Sequence, residues 1–192
     1  MAELRAEDRS PRGDPTRHRT FDELDAALRS TPAAPRDAGR LALIVRRLPD
    51  GTRETPQLVT LSCDDGVPGD DWTRRPPREL DAQLAVIQRD VAALLANGQP
   101  LTLSGDNLLV DLDLSDENLP AGSRLRLGES LVVVTPKPHN GCNKFAARFG
   151  LDALRFVQAK PTRHRNLRGT YWRVLEPGIA RVGDAIRVVS RG

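Results

Sequence analysis

Apolar side chains recur along this chain at two spacings, one typical of helices and one typical of strands. Near the N-terminus, Phe21, Leu24 and Leu28 lie three and four residues apart, which predicts a short helix with one apolar face. Thr20 and Glu23 have the spacing of a capping box at its start. Prolines follow and end the helix, which we expect to pack on the outside of a domain.

From Gly39 onward the pattern becomes that of β-strands. The segment from Leu41 to Arg47 is apolar and β-branched enough for a strand, and Asp50-Gly51 indicates a turn after it. Residues 57–63 alternate between apolar and polar side chains. This alternation places Cys63 on the apolar face and predicts that it is a small core residue.

Residues 80–97 allow two interpretations. The apolar positions suit one long amphipathic helix, or a strand from Gln83 to Ile87 followed by a helix from Gln88 to Ala96. Beyond them, Leu101 to Leu103 is predicted as a short strand, and Leu108 to Leu114 as an extended segment.

Two later segments share the order strand, Gly-acid turn, strand. They run from Leu125 to Val134 and from Ala180 to Val189, and each predicts a hairpin of an antiparallel barrel. Between them, residues 144–149 and 153–157 have helical spacing, and a strand is expected around Tyr171 to Leu175. The predicted fold is mostly β, a barrel with a few peripheral α-helices, and α+β overall.

The composition divides the chain into three regions. Residues 1–19 are rich in Arg, Asp, Glu and Pro and predict a disordered tail. Residues 20–38 form the N-terminal helix and a linker, and residues 39–192 form the barrel domain. A length of 192 residues suits one domain with a real core.

Charge and cysteine content narrow the class of protein. The net charge of +3 is compatible with anionic ligands but falls short of the basic excess of a dedicated DNA binder. No apolar run approaches the roughly 20 residues that span a bilayer, so no membrane partner is expected. Only two cysteines occur, Cys63 and Cys142, and no signal-like N-terminus precedes them. Reduced thiols in a cytoplasm are therefore the expectation.

The candidate for chemistry is Cys142. It follows an apolar strand and a proline-rich turn and precedes a short helical segment, where a helix dipole favours the thiolate. Basic residues flank it, namely Lys137, His139, Lys144 and Arg148. The thiolate is the form that attacks sulfur and binds metals. The alternative is that Cys142 is a small buried structural residue.

The neighbours of Cys142 suggest specific roles. His139 could deprotonate the thiol or stabilise the thiolate as an imidazolium ion, or it could be a loop residue without such a duty. Lys144 and Arg148 lie four residues apart on the predicted helix and could face one anion, or simply form a solvated face. Zinc is disfavoured because two cysteines and three histidines nowhere have ligand spacing.

A second candidate is a basic patch between residues 163 and 173. It contains Arg163, Arg165, Arg168 and Arg173, with Tyr171 and Trp172 nearby. Guanidinium groups could hold an anionic ligand or partner, or the patch could contact RNA, or it could be an ordinary charged surface. Tyr171 and Trp172 are adjacent and lie on opposite faces of a strand, which counts against an RNA-stacking platform.

Several short motifs together resemble the MOSC domain, named after the C-terminal domain of molybdenum cofactor sulfurase. They are Gly66-Val-Pro-Gly-Asp70, Gly105-Asp-Asn-Leu108, Leu119-Pro-x-Gly122 with Leu127-Gly128, and a strand leading to Cys142. Pro138-His-x-Gly-Cys142, followed by Lys-Phe-x-x-Arg-Phe-Gly150, is similar to a subgroup of small stand-alone bacterial members. The likeness covers roughly residues 39–189. Many members have Glu at the position of Asp106 and Pro at the position of Gly141.

The resemblance implies a barrel-like fold, with a strand before a helix in residues 83–96. It implies that Cys142 is the family's sulfur-carrying cysteine, as a persulfide carrier or a molybdenum ligand. It also implies roles for Asp70 and Asn107 at a ligand, and for Arg168 at the phosphate or pterin of a molybdenum cofactor. A sulfur donor such as a cysteine desulfurase is the implied partner. Pyridoxal phosphate is associated with the sulfurase, but no lysine here has a distinctive Schiff-base setting.

Three functional hypotheses follow. The first is sulfur or molybdenum-cofactor handling through Cys142. The second is a non-catalytic module that binds an anionic ligand or partner through the patch at 163–173, with Cys142 structural. The third, an RNA-binding barrel, has the least support.

Overall fold

The computed structural model describes residues 11–74 and 76–192. The strands in this part of the chain are β1 (Ala38–Ile44), β2 (Arg46–Arg47), β3 (Arg53–Glu54), β4 (Leu58–Leu61), β5 (Leu84–Gln88), β6 (Leu108–Asp111), β7 (Arg124–Leu127), β8 (Ser130–Val134), β9 (Thr170–Glu176), β10 (Gly178–Arg181) and β11 (Ala185–Ser190). Seven of them close into a barrel in the order β1-β11-β7-β8-β9-β5-β6. Two small two-stranded sheets, β4 with β10 and β2 with β3, flank it. The predicted barrel is confirmed.

The α-helices of the described residues are α1 (Phe21–Ser30), α2 (Arg89–Ala96), α3 (Asn143–Phe149) and α4 (Leu151–Val157). Short 3-10 helices lie at Pro15–Arg17, Asp71–Arg74, Leu80–Ala82, Leu101–Ser104 and Lys160–Arg165. The predicted capping box begins α1: Glu23 N donates to Thr20 Oγ1, and Thr20 N donates to the Glu23 carboxylate. None of the described helices has the length and apolar character needed to cross a membrane.

The buried apolar side chains form two cores, one inside the barrel and one between the barrel and the helices. The strands of the barrel wall contribute side chains to both. Leu84 and Val86 of β5 point into the barrel, which is filled by apolar residues including Trp172, while Ile87 points toward the helices. β6 does the same, with Leu108 inside and Leu109 outside. Both faces of these strands are covered, which explains why their sequences are apolar without alternation.

The segment at residues 83–96 is a strand followed by a helix, as the family resemblance implied. β5 pairs in parallel with β6 and antiparallel with β9, so it lies inside the sheet. The predicted strand at Leu101 to Leu103 is wrong, because this segment is a 3-10 helix. Its backbone is hydrogen bonded locally, Leu103 N to Pro100 O and Gly105 N to Thr102 O, and it packs against the helices.

One predicted hairpin is confirmed and the other is wrong. β7 and β8 pair with each other, with Leu127 opposite Ser130. The two strands of the second segment pair with other strands and not with each other. β10 pairs with β4, and β11 pairs with β1 and β7. The last strand closes the barrel by joining the first, and a local hairpin would leave that seam open.

Cys63 is exposed, so its predicted place on the core face is wrong. β4 ends at Leu61, and the chain turns through a bridge between Ser62 and Gly66. The alternation of side chains stops with the strand. The Cys63 thiol lies at the surface, 3.5 Å from the Leu175 carbonyl oxygen.

The predicted disordered tail, residues 1–19, falls partly outside the described residues. Residues 11–19 are bound to the domain, so disorder is the wrong prediction for them. Gly13 N donates to Ala147 O at 3.2 Å, and Asp14 N donates to Gln99 Oε1 at 2.7 Å. His18 Nε2 lies 3.2 Å from Arg148 O. Hydrogen bonds of the backbone hold this segment on the domain. The disorder was predicted from the scarcity of apolar side chains, and that scarcity says nothing about backbone hydrogen bonds.

Candidate functional site

Cys142 is exposed at the start of α3, at the end of the loop that leaves β8. Its carbonyl oxygen accepts from Ala146 N at 3.0 Å, which fixes the backbone at the first turn. The preceding carbonyl, of Gly141, accepts from Gln158 Nε2 at 3.1 Å and ties the loop to the end of α4. The thiol is therefore held at a defined place and open to a reaction partner.

His139 points inward from the same loop. Its side chain is only 5% exposed, and its ring centroid lies 4.1 Å from that of Tyr171. Burial first, and then the positive charges of Arg168 and Arg47, lower the pKa of His139 well below its usual range. The ring is therefore neutral near pH 7. This geometry does not support the suggested role as an imidazolium ion beside the thiolate.

Asp106 and Arg168 form a buried ion pair beneath His139. Arg168 Nη1 donates to Asp106 Oδ1 at 2.9 Å and to Oδ2 at 3.2 Å, and Asp106 is fully buried. His139 Nδ1 lies 3.7 Å from Asp106 Oδ1. Gly105 has a φ of +78°, a left-handed conformation that sharpens the turn from which Asp106 enters the interior.

Asp70 and Asn107 hold a second buried arginine, Arg47. Asp70 accepts Arg47 Nη2 at 2.5 Å and Arg47 N at 2.7 Å. Asn107 Oδ1 accepts Arg47 Nη2 at 3.3 Å and Ala85 N at 3.1 Å. Burial would raise the pKa of Asp70, but the hydrogen bonds and charge of Arg47 lower it below its usual range.

The family resemblance implied that both residues act at a ligand. The structure commits their polar atoms to the protein. Asp70 binds Arg47 and accepts from Trp72 N at 3.0 Å, and Asn107 binds Arg47, Ala85 N of β5 and Val45 O. They are positioning residues for Arg47. The guanidinium group of Arg47 also reaches the Gly105 carbonyl at 3.3 Å, which links it to the turn that carries Asp106.

Two further arginines converge on the same turn. Arg148 is buried, and its Nη1 donates to Ser104 O at 3.0 Å. Arg53 comes from β3, and its guanidinium group approaches Gly105 from the same side as that of Arg148. Burial, and then the charges of Arg148 and Arg47, lower the pKa of Arg53 to about 10. Burial and the charge of Arg168 likewise lower the pKa of Arg148.

We call this group the arginine cluster: Arg47, Arg53, Arg148 and Arg168 with Asp70 and Asp106. Four guanidinium groups face these two carboxylates, and Asp71 adds a third negative charge near Arg47, so positive charge remains in excess. Buried charge of one sign is costly unless it is compensated. The cluster is therefore suited to an anion.

Cys142 lies at the edge of this cluster. A negative charge on Cys142 would raise the pKa of Arg148, so the two groups are electrostatically coupled. On the side of Arg168, the cluster borders a cavity of about 280 Å³. The other residues that line this cavity include Pro138, His139, Asn140, Arg163 and Asn166. Gln158 lines the same cavity and holds the Gly141 carbonyl, so the cavity wall and the cysteine loop are connected.

The predicted pair Lys144 and Arg148 is split between surface and interior. Lys144 is exposed, whereas Arg148 is buried in the cluster. Sequence reasoning missed Arg47 and Arg53, whose positive charges lie near Arg148 in the cluster. The only signal was that each lies in or beside a short polar strand, and many surface arginines share that property.

The basic patch predicted at 163–173 is not one surface. Arg168 is buried in the cluster, and Trp172 lies fully buried inside the barrel. Arg163 borders the cavity beside His139, whereas Arg165 borders a different one with Leu28 and Val91. The sequence run is divided because a 3-10 helix and then a strand turn its side chains in different directions.

In the described part of the chain, no group of three or more His, Cys, Asp and Glu side chains could hold a metal ion by itself. A molybdenum cofactor fits these residues in a narrower sense. Cys142 offers one soft thiolate ligand, and the cluster offers guanidinium donors for a phosphate. Within residues 11–74 and 76–192, Arg53 Nε, Arg148 Nε, Arg168 Nε and His139 Nδ1 are buried without a hydrogen-bond partner.

Comparison with known structures identifies the fold. YiiM from Escherichia coli is 22% identical with a TM-score of 0.53, over 80% of this chain and 71% of that chain. YiiM from Geobacillus stearothermophilus is 20% identical with a TM-score of 0.53, over 80% and 76%. YUAD from Bacillus subtilis is 16% identical with a TM-score of 0.56, over 81% and 98%. At these identities the likeness shows a common fold.

A search of curated proteins gave no match to this chain. The family model of the MOSC domain matches residues 70–187, a span that includes Asp70, the Gly105 turn, Cys142 and most of the barrel. This match covers more than half of the 192 residues, so the protein belongs to the MOSC domain family.

Proposed function

We propose that this protein handles sulfur or the molybdenum cofactor, with Cys142 as a persulfide carrier or as a molybdenum ligand. The observation that carries the proposal is an exposed Cys142 at the edge of a buried excess of guanidinium groups. Arg148 is the residue common to both, because it starts from the helix that Cys142 caps and ends inside the cluster.

As a persulfide carrier, Cys142 would react by thiol exchange. Its thiolate attacks the outer sulfur of a donor persulfide, a new S–S bond forms at Cys142 Sγ, and the donor leaves as a thiolate. No electrons are gained or lost overall, so no further oxidant is required. A desulfurase-type protein that carries a cysteine persulfide is the donor of matching chemistry.

As a ligand, Cys142 would hold the metal of a molybdenum cofactor, and the bound cofactor would supply redox chemistry. Arg168 and Arg148 would bind the anionic part of the cofactor, whereas Asp70 and Asn107 would keep Arg47 in place. Neutral His139 and the ring of Tyr171 would form one wall of the adjoining cavity.

The compartment and partners belong to the same proposal. Cys63 and Cys142 are both free and exposed thiols. A reducing cytoplasm would keep them available for exchange. Within it, a sulfur donor would need to reach only the loop at residues 139–142 and the start of α3.

The test is a comparison of the two thiols in one protein. Iodoacetamide labelling at pH 7 is measured for Cys142 in the Cys63→Ser variant and for Cys63 in the Cys142→Ser variant. A free thiol is only a few per cent thiolate at this pH, so stabilising the thiolate gives room for about tenfold faster labelling. We expect Cys142 to label faster by roughly that factor, although both residues are exposed.

Mass spectrometry then identifies the cargo. A persulfide adduct on Cys142 after incubation with a cysteine persulfide supports the carrier role, and molybdenum that copurifies with wild type but not with Cys142→Ser supports the ligand role. Equal and slow labelling of both thiols, with neither adduct nor metal, would overturn the proposal. It would leave a binding module in which Cys142 is structural.

A further inference from the structure

The outer face of α4 carries an apolar strip that leads to Cys142. Leu151 is 66% exposed, and no other large hydrophobic side chain of the described residues is more exposed. Leu154 follows three residues later, so it lies beside Leu151 on the same side of the helix. A Cβ atom on Gly141 would overlap Leu154 Cδ1, so the strip ends against the residue that precedes the exposed thiol.

The position of α4 relative to the thiol is fixed at both faces of the helix. On the inner face, Phe156 is buried and packs edge-on against Phe21 of α1, with ring centroids 5.8 Å apart. At its end, Gln158 Nε2 donates to the Gly141 carbonyl at 3.1 Å. The outer face therefore stays open to solvent while it is held beside the cysteine loop.

The surface around this strip is positive. Residues 137–168 contain eight Lys and Arg residues and a single carboxylate side chain, that of Asp152. Arg148 and Arg168 are buried. The other six reach solvent, namely Lys137, Lys144, Arg155, Lys160, Arg163 and Arg165. Ion pairs with Glu79 and Asp152 offset two of them, so the surface of this segment retains a positive charge.

We propose that Leu151, Leu154 and the loop at Cys142 form a docking face for a protein that presents a persulfide beside an apolar residue and acidic side chains. The apolar strip offers such a partner an anchor, and the surrounding cations attract its carboxylates. Because the strip ends at the thiol, a partner docked on it brings its sulfur to Cys142 Sγ. Nucleic acid fits this face less well, since its phosphate backbone is bound by charge and gains nothing from an exposed leucine.

The docking face rests on the proposed function, because it names the chemistry of the sulfur donor. The two proposals nevertheless fail separately. A thiol that reacts readily with a small alkylating reagent but shows no preference for an acidic peptide contradicts only the docking face. A preference for the acidic peptide without any persulfide adduct or bound molybdenum contradicts only the sulfur and cofactor chemistry.

The experiment measures disulfide exchange between Cys142 and synthetic peptides, in the full chain with Cys63→Ser. The first peptide has one cysteine joined to a thiopyridyl group, flanked by a leucine and several glutamates. The Cys142 thiolate attacks the peptide sulfur, a disulfide forms between them, and the thiopyridyl group leaves as an absorbing thione, so electrons balance without an oxidant. A second peptide has glutamine for each glutamate. We expect the acidic peptide to react about tenfold faster at low salt, and about equally fast at high salt.

Variants of the strip and of its rim separate the two contributions. Each peptide rate is divided by the iodoacetamide rate of the same variant, which corrects for changes in the thiol itself. Leu151→Ser should lower this ratio about five- to tenfold. Its control, Leu58→Ser, alters an exposed leucine on β4 and should leave the ratio unchanged. Lys160→Gln should lower the preference for the acidic peptide about twofold, whereas Arg187→Gln, at an exposed position of β11, should keep it.

Two outcomes would overturn the docking face. One is an equal normalised rate for the acidic and the neutral peptide at low salt, or an equal loss in Leu151→Ser and Leu58→Ser. The other is protection of Cys142 by an RNA oligonucleotide at concentrations where the acidic peptide without its cysteine gives none, which would assign the face to nucleic acid. Circular dichroism of each variant confirms that a lowered rate comes from a folded chain.

Discussion

Asp70 holds Arg47 through both carboxylate oxygen atoms, with Nη2 2.5 Å from Oδ2 and Nε 3.0 Å from Oδ1. Asp70 is only 1% exposed. This pair joins the loop before Trp72 to the strand β2, and it fixes the first of the four arginines at the Gly105 turn.

Asp70→Asn should therefore be strongly destabilising. Removing one partner of a buried ion pair leaves an uncompensated charge and costs about 3–5 kcal/mol. Urea unfolding measures the loss. Asp65→Asn is the matched control, because Asp65 pairs with Arg78 at the surface, where such pairs contribute about 0–1 kcal/mol. Equal losses in the two variants would contradict the structural role of Asp70.

The same pair should appear in acid unfolding. The pKa of Asp70 is lower in the folded chain than in the unfolded one, where it is about 3.9. The folded state therefore binds fewer protons near pH 4, and the contribution of Asp70 is complete above that pH and is lost as the pH falls through the folded pKa. Stability should decline less steeply below pH 4 in Asp70→Asn than in wild type.

His139 should make the protein less stable in mild acid. Its pKa is lowered in the folded chain, so below about pH 6.5 the unfolded chain binds a proton that the folded chain does not. The free energy of unfolding should fall by about 1 kcal/mol between pH 6.5 and pH 5.5 from this group alone. His139→Gln should remove that part of the pH dependence, whereas His164→Gln, at an exposed position, should keep it.

Arg148 should control the reactivity of Cys142. Arg148→Met keeps much of the apolar stem but removes the charge that faces the thiolate. We expect iodoacetamide labelling of Cys142 at pH 7, in the Cys63→Ser background, to slow by about three- to tenfold. Arg155→Met changes an exposed arginine on α4 and should label at the unmodified rate. Circular dichroism checks that both variants remain folded, and identical rates would argue against electrostatic coupling.

The N-terminal segment offers a test of its attachment to α3. A side chain at Gly13 would overlap the backbone of Arg148, so Gly13→Val should release residues 11–19 from the domain. Trypsin should then cleave after Arg17 and Arg19 about tenfold faster. This factor corresponds to a loss of about 1.4 kcal/mol in the free energy that holds the segment on the domain. Arg12→Val, at a neighbouring exposed position, should leave cleavage unchanged.

Local patterns predicted the local elements well. The hairpin of β7 and β8 and the capping box of α1 depend on residues a few positions apart, and both are present. The uniform apolar run at β5 was ambiguous, because a strand covered on both faces has no alternation. The family resemblance resolved it, since it carries information about the whole fold.

Predictions failed where partners are distant in sequence. The strand β10 leaves its neighbour to pair with β4, more than a hundred residues earlier, and β11 joins β1 to close the barrel. Cys63 alternates with core residues but follows the last residue of its strand, so it lies outside. In both cases the sequence pattern of a strand or hairpin extends past the residue at which the strand ends or takes a different partner.

By itself, the sequence determined the barrel class, the position of Cys142 before a short helix and the polar residues that mark the MOSC motifs. Only the tertiary structure decided what those polar residues do. Asp70 and Asn107 turned out to hold Arg47, and Arg148 turned inward toward Arg53 rather than outward with Lys144. The reason is physical: hydrophobic periodicity is written in neighbouring residues, whereas the pairing of buried charges depends on which distant strands the closed barrel brings together.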